Sequence, residues 1–298
     1  MAQKQKSSIK LEWIFLAVLI VLLILVVVSL MTKSNSANEL KPGSAIHPHT
    51  FSYAPDGETL WIGTHQGIYE LTDGKWLQTV PALSSSDVMG LEIDPSNSDN
   101  IIVSGHGFIK RSQDRGGNWN PIEAGMPNQP KPDVPDAHQL TMDSKNGSHL
   151  YTVLAGPGDN VYETNDGGNT WGKVGKIPTA LYSIAVAPDN ENSLLAGSEL
   201  GLVRYDFINE DMKETKISNE PAYQILMLSS GEIIVMNEGG FSRSKDMKTW
   251  TPMNINLNGE IPLGIKASKK DPAKLAIVTQ NYSVYESKNS GQSWTQTK

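Results

Sequence analysis

Five tryptophans, Trp76, Trp119, Trp171, Trp250 and Trp294, each close a copy of one short motif. The copies recur at intervals of about 40 to 50 residues, with one interval of nearly twice that. The fullest are SQDRGGNW, with Ser112, Asp114, Gly116 and Trp119, and TNDGGNTW, with Thr164, Asp166, Gly168, Thr170 and Trp171. A third, SKNSGQSW, carries Ser287, Asn289, Gly291 and Trp294. Two are eroded: Ser244 and Asp246 precede Trp250 with one residue lost, and Leu71 to Trp76 is shorter still. A supersecondary unit of this size cannot bury its apolar face alone, so such a repeat implies stacked units sharing a continuous core.

From Thr50 onward one grammar recurs. An alternating strand is followed by a polar turn, an apolar strand ending in small residues, a Gly turn, a strand leading into the motif, and a strand starting at the tryptophan. We letter these strands A to D. The second strands are predicted at 60–63, 101–104, 150–155, 193–197, 232–236 and 275–279, and the third at 67–71, 107–111, 161–164, 201–205, 241–244 and 283–287. The fourth unit, from Ala180 to about Ile217, keeps its strands but has no motif, which accounts for the double interval. Six four-stranded units without helical periodicity predict an all-β, six-bladed propeller, in which radial repetition leaves only short sheet edges. A seventh blade assembled from Glu39 to Pro48 with a chain end is the alternative count; a two-sheet sandwich fits the strand number but not the period.

In the turns between strands C and D, Asp114 and Asp166 can accept backbone amides, Gly116 and Gly168 can adopt positive φ, Thr170 can bond the turn, and the tryptophans can pack between units. These motifs resemble Asp-boxes, the bacterial neuraminidase repeats of sialidases, sortilin ectodomains and photosystem II assembly-factor propellers. The resemblance implies that the motif residues are structural and lie on the face opposite the ligand pocket. A second resemblance covers nearly the whole of the propeller. Pro55-Asp-Gly57, Gly63-Thr-His65, Gly67, Asp87-Val-Met89-Gly90 and Ser104-Gly-His106-Gly107 are similar to a group of exported bacterial Asp-box proteins labelled glycosylhydrolases. That label follows the fold and carries little chemistry.

Sialidase chemistry is not expected. As the resemblance has it, such a site needs three arginines converging on a carboxylate, and this chain has four in all: Arg111, Arg115, Arg204 and Arg243. Each precedes, lies within, or occupies the place of a motif, which puts all four on the outer side rather than in a pocket.

Ahead of the repeats, Ile14 to Met31 carries no charge and, with Trp13, is about the length of a membrane-spanning helix. Lys4, Lys6 and Lys10 precede it, so the basic flank predicts a cytoplasmic N-terminus (1–12), a signal-anchor (13–31), a polar linker (32–46) and an extracytoplasmic propeller (47–298) at the cell membrane. A cleaved signal peptide is the alternative; the apolar run is long for one, and no A-x-A site follows it. The chain has no cysteine, which excludes disulfides, thiolate metal sites and thiol nucleophiles. Net charge is −7, but the first 33 residues carry +3, leaving −10 on the remainder. An acidic domain repels phosphate backbones, so nucleic acid is not expected as a partner.

The repeat phase also sorts the six histidines. In a propeller the approach to strand A and the B–C turn open on one face. His47 and His49 precede strand A of unit one, His138 precedes strand A of unit three, and His65 and His106 occupy the B–C turns of units one and two. Asp87 lies just before strand A of unit two, and Asp136 sits in a lip with Pro121, Pro127, Pro130, Pro132 and Pro135. Only His149, in an A–B turn, falls on the other face. His47, His49, His65, Asp87, His106 and His138 therefore form the predicted ligand-binding mouth. His47, His49, His65 and His106 are candidate ligands for a divalent metal cofactor, and Glu238, Gln280 and Asn281 are candidates to complete the face. The plainer alternative is that these imidazoles only hydrogen-bond the starts of the A strands. The expected role is a binding or assembly module for a protein or glycan at the cell surface, with a metal-dependent glycan hydrolase or lyase as the rival.

Overall fold

Each B strand is buried on both faces, and that is why it reads as an unbroken apolar run rather than an alternation: Leu60–Thr64, Ile101–Gly105, Leu150–Leu154 and Leu275–Thr279 are buried throughout. The computed structural model describes residues 39–127, 134–155, 160–208 and 211–298, and these form six sheets of contiguous sequence. Blade one comprises Pro48–Tyr53, Leu60–Thr64, Gly67–Thr72 and Lys75–Gln78. Blade two comprises Val88–Ile93, Ile101–Gly105, Phe108–Ser112 and Asn120–Pro121, and blade three Ala137–Met142, Leu150–Leu154, Asn160–Thr164 and Gly172–Lys176. Blade four has the longest outer hairpin, Gly201–Ile208 with Asp211–Ser218, outside Ser183–Ala187 and Asn190–Ser198. Blades five (Gln224–Met227, Ile233–Asn237, Gly240–Ser244, Thr251–Met253) and six (Pro262–Ala267, Leu275–Thr279, Val284–Ser287, Thr295–Gln296) complete the ring. Within each blade strands A to D pair antiparallel in that order.

The sequence phase is reproduced with two adjustments. There is no seventh blade among the described residues; Glu39–Leu40 instead adds a fifth strand beyond strand D of blade one. That strand covers an otherwise open sheet edge and buries Leu40 to 1 % exposure, so pairing begins inside the segment read as linker. The D strands of blades two, three, five and six start one residue after their tryptophan.

Six hydrophobic clusters fill the spaces between blades, each drawing on two neighbours. All five motif tryptophans reach one: Trp76 between blades one and six, Trp119 one and two, Trp171 two and three, Trp250 four and five, Trp294 five and six. Among the described residues no strand is exchanged to close the ring. Blade one meets blade six through the Trp76 indole, which donates to Tyr282 O at 3.0 Å, through Ser268 Oγ on Gly57 O at 2.8 Å, and through their shared apolar cluster.

The turn motif behaves as its residues require. Gly116 N donates to Ser112 Oγ, whose hydroxyl donates to Asp114 Oδ1, and that oxygen also accepts Asn118 N, each at 2.8 Å. Thr164, Asp166, Gly168 and Thr170 repeat the pattern, and Asn289 replaces the aspartate because its amide oxygen accepts Ser293 N in the same way. Gly116 and Gly168 both have φ of +91°, and where the motif has lost a residue Met247 takes φ of +57°.

Leu40–Lys298 is one compact unit. The predicted anchor 13–31 and the cytoplasmic segment 1–12 lie outside the described residues, as do residues 32–38 of the linker. Among the described residues no helix is long and apolar enough to cross a membrane.

Candidate functional site

Three positions recur at the start of successive blades. The first lies just before strand A and holds His47, Asp87 and Asp136. Two residues on, strand A carries a β-bulge, with His49, Met89 and His138 as the extra residue in blades one, two and three. The third is the B–C turn, where His65 and His106 stand. A bulge breaks the alternation of a strand and re-aims the extra side chain. Backbone bonds then tie each turn to the next blade: Gly67 N donates to Ser86 O at 2.9 Å, next to Asp87, and His106 pairs with Asp136 in an isolated antiparallel bridge.

These positions deliver two triads. In one, His49 Nε2 lies 3.1 Å from His65 Nδ1 and 3.1 Å from Asp87 Oδ1, while His65 Nδ1 lies 3.0 Å from Asp87 Oδ2. In the other, Asp136 Oδ1 lies 2.8 Å from His106 Nδ1 and 2.9 Å from His138 Nε2. They are joined at one edge, where His106 Nε2 stands 3.6 Å from Asp87 Oδ2.

Hydrogen bonding accounts for only part of this geometry: His65 Nδ1 is within bonding reach of both His49 Nε2 and Asp87 Oδ2. In the first triad two ring nitrogens and a carboxylate packed mutually at about 3 Å share at most two protons, and if both nitrogens carry one they face each other. Asp87 Oδ1, Asp136 Oδ1 and His138 Nε2 are buried and form no hydrogen bond of acceptable geometry despite these short contacts. A divalent ion resolves the conflict: ligand bonds of about 2.0–2.1 Å at tetrahedral angles put donor atoms about 3.3 Å apart, close to the spacings here. Burial pushes the His49 imidazole pKa down against the pull of Asp87, and His65, His106 and His47 push it further, which favours the neutral, ligating form.

Asp87, His49, His65, His106 and His138 thus converge as the sequence predicts. His47 stays outside both triads; its exposed ring stands edge-on to His65 with centroids 5.8 Å apart. Asp136, read from sequence only as a neighbour, is central to the second triad. Glu238 accepts from Tyr223 Oη at 3.2 Å, and among the described residues neither it nor Gln280 or Asn281 joins the triads. Residues 128–133 of the proline lip lie outside the described residues.

The triads open beside the axial channel, a cavity of 240 Å³ walled by the A strands of all six blades. His49 and His138 line it, with Met89, Tyr182, Tyr223 and Gln224 among its other walls, and Lys266 reaches across to Glu92 at 3.5 Å. On the opposite face, buried His149 is held by Glu163 Oε1 at 2.8 Å, with Asp143 Oδ2 3.9 Å from Nδ1. Burial alone would lower its pKa; the two carboxylates more than reverse that and raise it to about 9. The raised pKa favours an imidazolium paired with Glu163, and Asp143, His149 and Glu191 also bring donor atoms within 4.8 Å of one another.

The arginines are also structural. Arg111 donates to Gly167 O and Asn169 Oδ1 in the motif turn of the next blade, and Arg243 repeats this on Ser290 O. Arg115 pairs with Asp99, and Arg204 with Asp189 and Asp206. None faces the channel mouth.

No family model and no curated protein matches the chain. Solved structures match by shape. The Niastella koreensis GH74 enzyme aligns with a TM-score of 0.60 at 16 % identity over 87 % of this chain, which spans 46 % of that one, about half its length. YCF48 bound to D1 peptide aligns at 0.54 and 15 % identity over 88 % of this chain and 84 % of that one. A gluconolactonase from Xanthomonas campestris aligns at 0.60 and 12 % identity over 85 % and 89 %. At these identities the likeness is one of fold, and the fold is a β-propeller.

Proposed function

We propose that this protein is a membrane-anchored, extracytoplasmic propeller that binds a divalent transition-metal ion at its histidine mouth and recruits a protein or glycan ligand through that face. The observation that carries the reading is the convergence of four imidazoles and two carboxylates from three blades, with Asp87 Oδ1, Asp136 Oδ1 and His138 Nε2 buried there and lacking a hydrogen bond of acceptable geometry. Nitrogen and oxygen donors without any thiolate select borderline ions such as Zn²⁺ over soft ones. The charge-free run 14–31 behind three lysines supports anchoring with the propeller outside, and the motif turns support an Asp-box propeller.

A protein ligand draws support from YCF48, whose solved complex holds a D1 peptide on the same fold. A metal-dependent hydrolase or lyase is the second reading, because two imidazoles and one carboxylate leave a coordination position for water. The test of the main reading is elemental analysis of the full chain, purified in detergent without a histidine tag. We expect at least one Zn²⁺ per chain and a rise in melting temperature on adding zinc to stripped protein. Metal-free protein whose melting temperature ignores zinc overturns it.

A further inference from the structure

We infer that the mouth holds two metal ions, one in the triad His49, His65 and Asp87 and one in the triad His106, His138 and Asp136, and that Asp87 and His106 couple them. The inference rests on the metal-binding reading above and adds stoichiometry and connection to it. Each triad has its own carboxylate and its own pair of imidazoles, with contacts of 2.8–3.1 Å inside a triad against 3.6 Å between the two. The triads are also built by equivalent parts of the repeat: a bulge histidine, a B–C turn histidine and an aspartate preceding strand A. In blade two the bulge residue is Met89, so a third copy of the site does not form.

The connection follows from the two nitrogens of one ring. A neutral imidazole that ligates through one nitrogen carries its proton on the other. His106 turns Nδ1 toward Asp136, which leaves Nε2 as the nitrogen nearer Asp87, 3.6 Å from Oδ2 and just beyond hydrogen-bond distance, a gap that a small closing of the ring on a bound ion would bridge. Metal-bound histidines usually donate that second N–H to a carboxylate, and the partner fixes the ring and raises its basicity. Asp87 therefore has two roles, ligand to the first ion and positioning partner for a ligand of the second.

The experiment is a zinc titration of the stripped full chain in detergent, with bound metal counted per chain and affinities read by calorimetry. The unsubstituted protein should bind two Zn²⁺. His49→Ala should leave one, and His138→Ala and Asp136→Asn should each leave one. Asp87→Asn should lose the first ion and weaken the second by about 10–100-fold, the usual cost of losing such a partner. Each variant is compared at matched melting profile, and the paired substitutions in the second triad guard against one that fails to fold. One zinc per chain, abolished by either His49→Ala or His138→Ala, would mean a single shared ion and overturn the inference while leaving the metal reading intact. Two ions with the second unaffected by Asp87→Asn would overturn the coupling. No stoichiometric zinc would remove the metal reading itself.

Discussion

His49 and His138 occupy the same bulged position of strand A in blades one and three, so two imidazoles reach one mouth by the same backbone device. Neither would do so in a regular strand. The site is therefore a product of the ladder's irregularity as much as of residue type.

The exposed pair of imidazoles separates binding from folding. The side chains of His65 and His106 are 45 % and 44 % exposed, so replacing both with alanine removes little packing. The double variant should melt within a few degrees of the unsubstituted protein when both are metal-free. It should lose the zinc-dependent rise, which for one site at a hundredfold excess over Kd corresponds to about 2.7 kcal/mol. A double variant that unfolds outright would mark these histidines as structural.

His149 predicts a pH dependence on the other face. Its pKa is raised to about 9, above the unfolded value near 6.5, so its contribution is complete below about pH 6.5 and fades as pH rises through 9. His149→Ala would leave Glu163 facing a cavity with Tyr151 Oη, at 2.9 Å, and the Asn165 side chain as its remaining hydrogen-bond partners. A loss of roughly 2–4 kcal/mol at neutral pH is expected from chemical denaturation. The difference from the unsubstituted protein should shrink between pH 8 and 10; a constant difference would show that packing, not charge, is lost.

The motif aspartates predict the opposite slope. Hydrogen bonds from the Thr170 hydroxyl and amide and from Thr164 hold the Asp166 pKa at about 2, below the unfolded value near 3.9. Its contribution is thus present above about pH 4 and lost as pH falls through 2. Asp166→Ala should cost about 1 kcal/mol, the scale of a lost turn cap on an exposed surface, and Asp166→Asn less, because Asn289 serves the same turn in blade six. Zinc affinity should be unchanged in both; a change would link the motif face to the mouth.

The blades were legible because burial on both faces turns every B strand into an apolar run and because the tryptophans mark strand phase. Phase alone put Asp87, His49, His65, His106 and His138 on one face. It could not rank Asp136 above His47, since alternate residues such as His47 and His49 share a side only in a regular strand, and the bulge at His49 breaks that rule. Bulges arise from pairing between strands, and no local residue pattern announces them here: the four bulged residues in this register are His49, Met89, His138 and Leu263. The fifth strand of blade one was hidden for a similar reason, because Glu39–Leu40 is too short to carry a period.

Gly105 offers a test that touches no ligand side chain. It ends strand B of blade two, immediately before His106, and a Cβ there would overlap the backbone carbonyl oxygen of Asp87. Backbone cannot rotate away as a side chain can, so Gly105→Ala must displace the segment that carries Asp87. Asp87 contacts His49 and His65 in one triad and faces His106 toward the other, so a shift of even a few tenths of an ångström strains both. The variant should keep its β-sheet circular dichroism, melt a few degrees lower, as overpacking at about 1–3 kcal/mol implies, and bind zinc at least tenfold more weakly. Gly172→Ala, where the added methyl meets nothing within 4 Å, is the matched control and should leave zinc affinity unchanged. Equal affinities in the two variants would mean that the position of Asp87 does not govern the mouth.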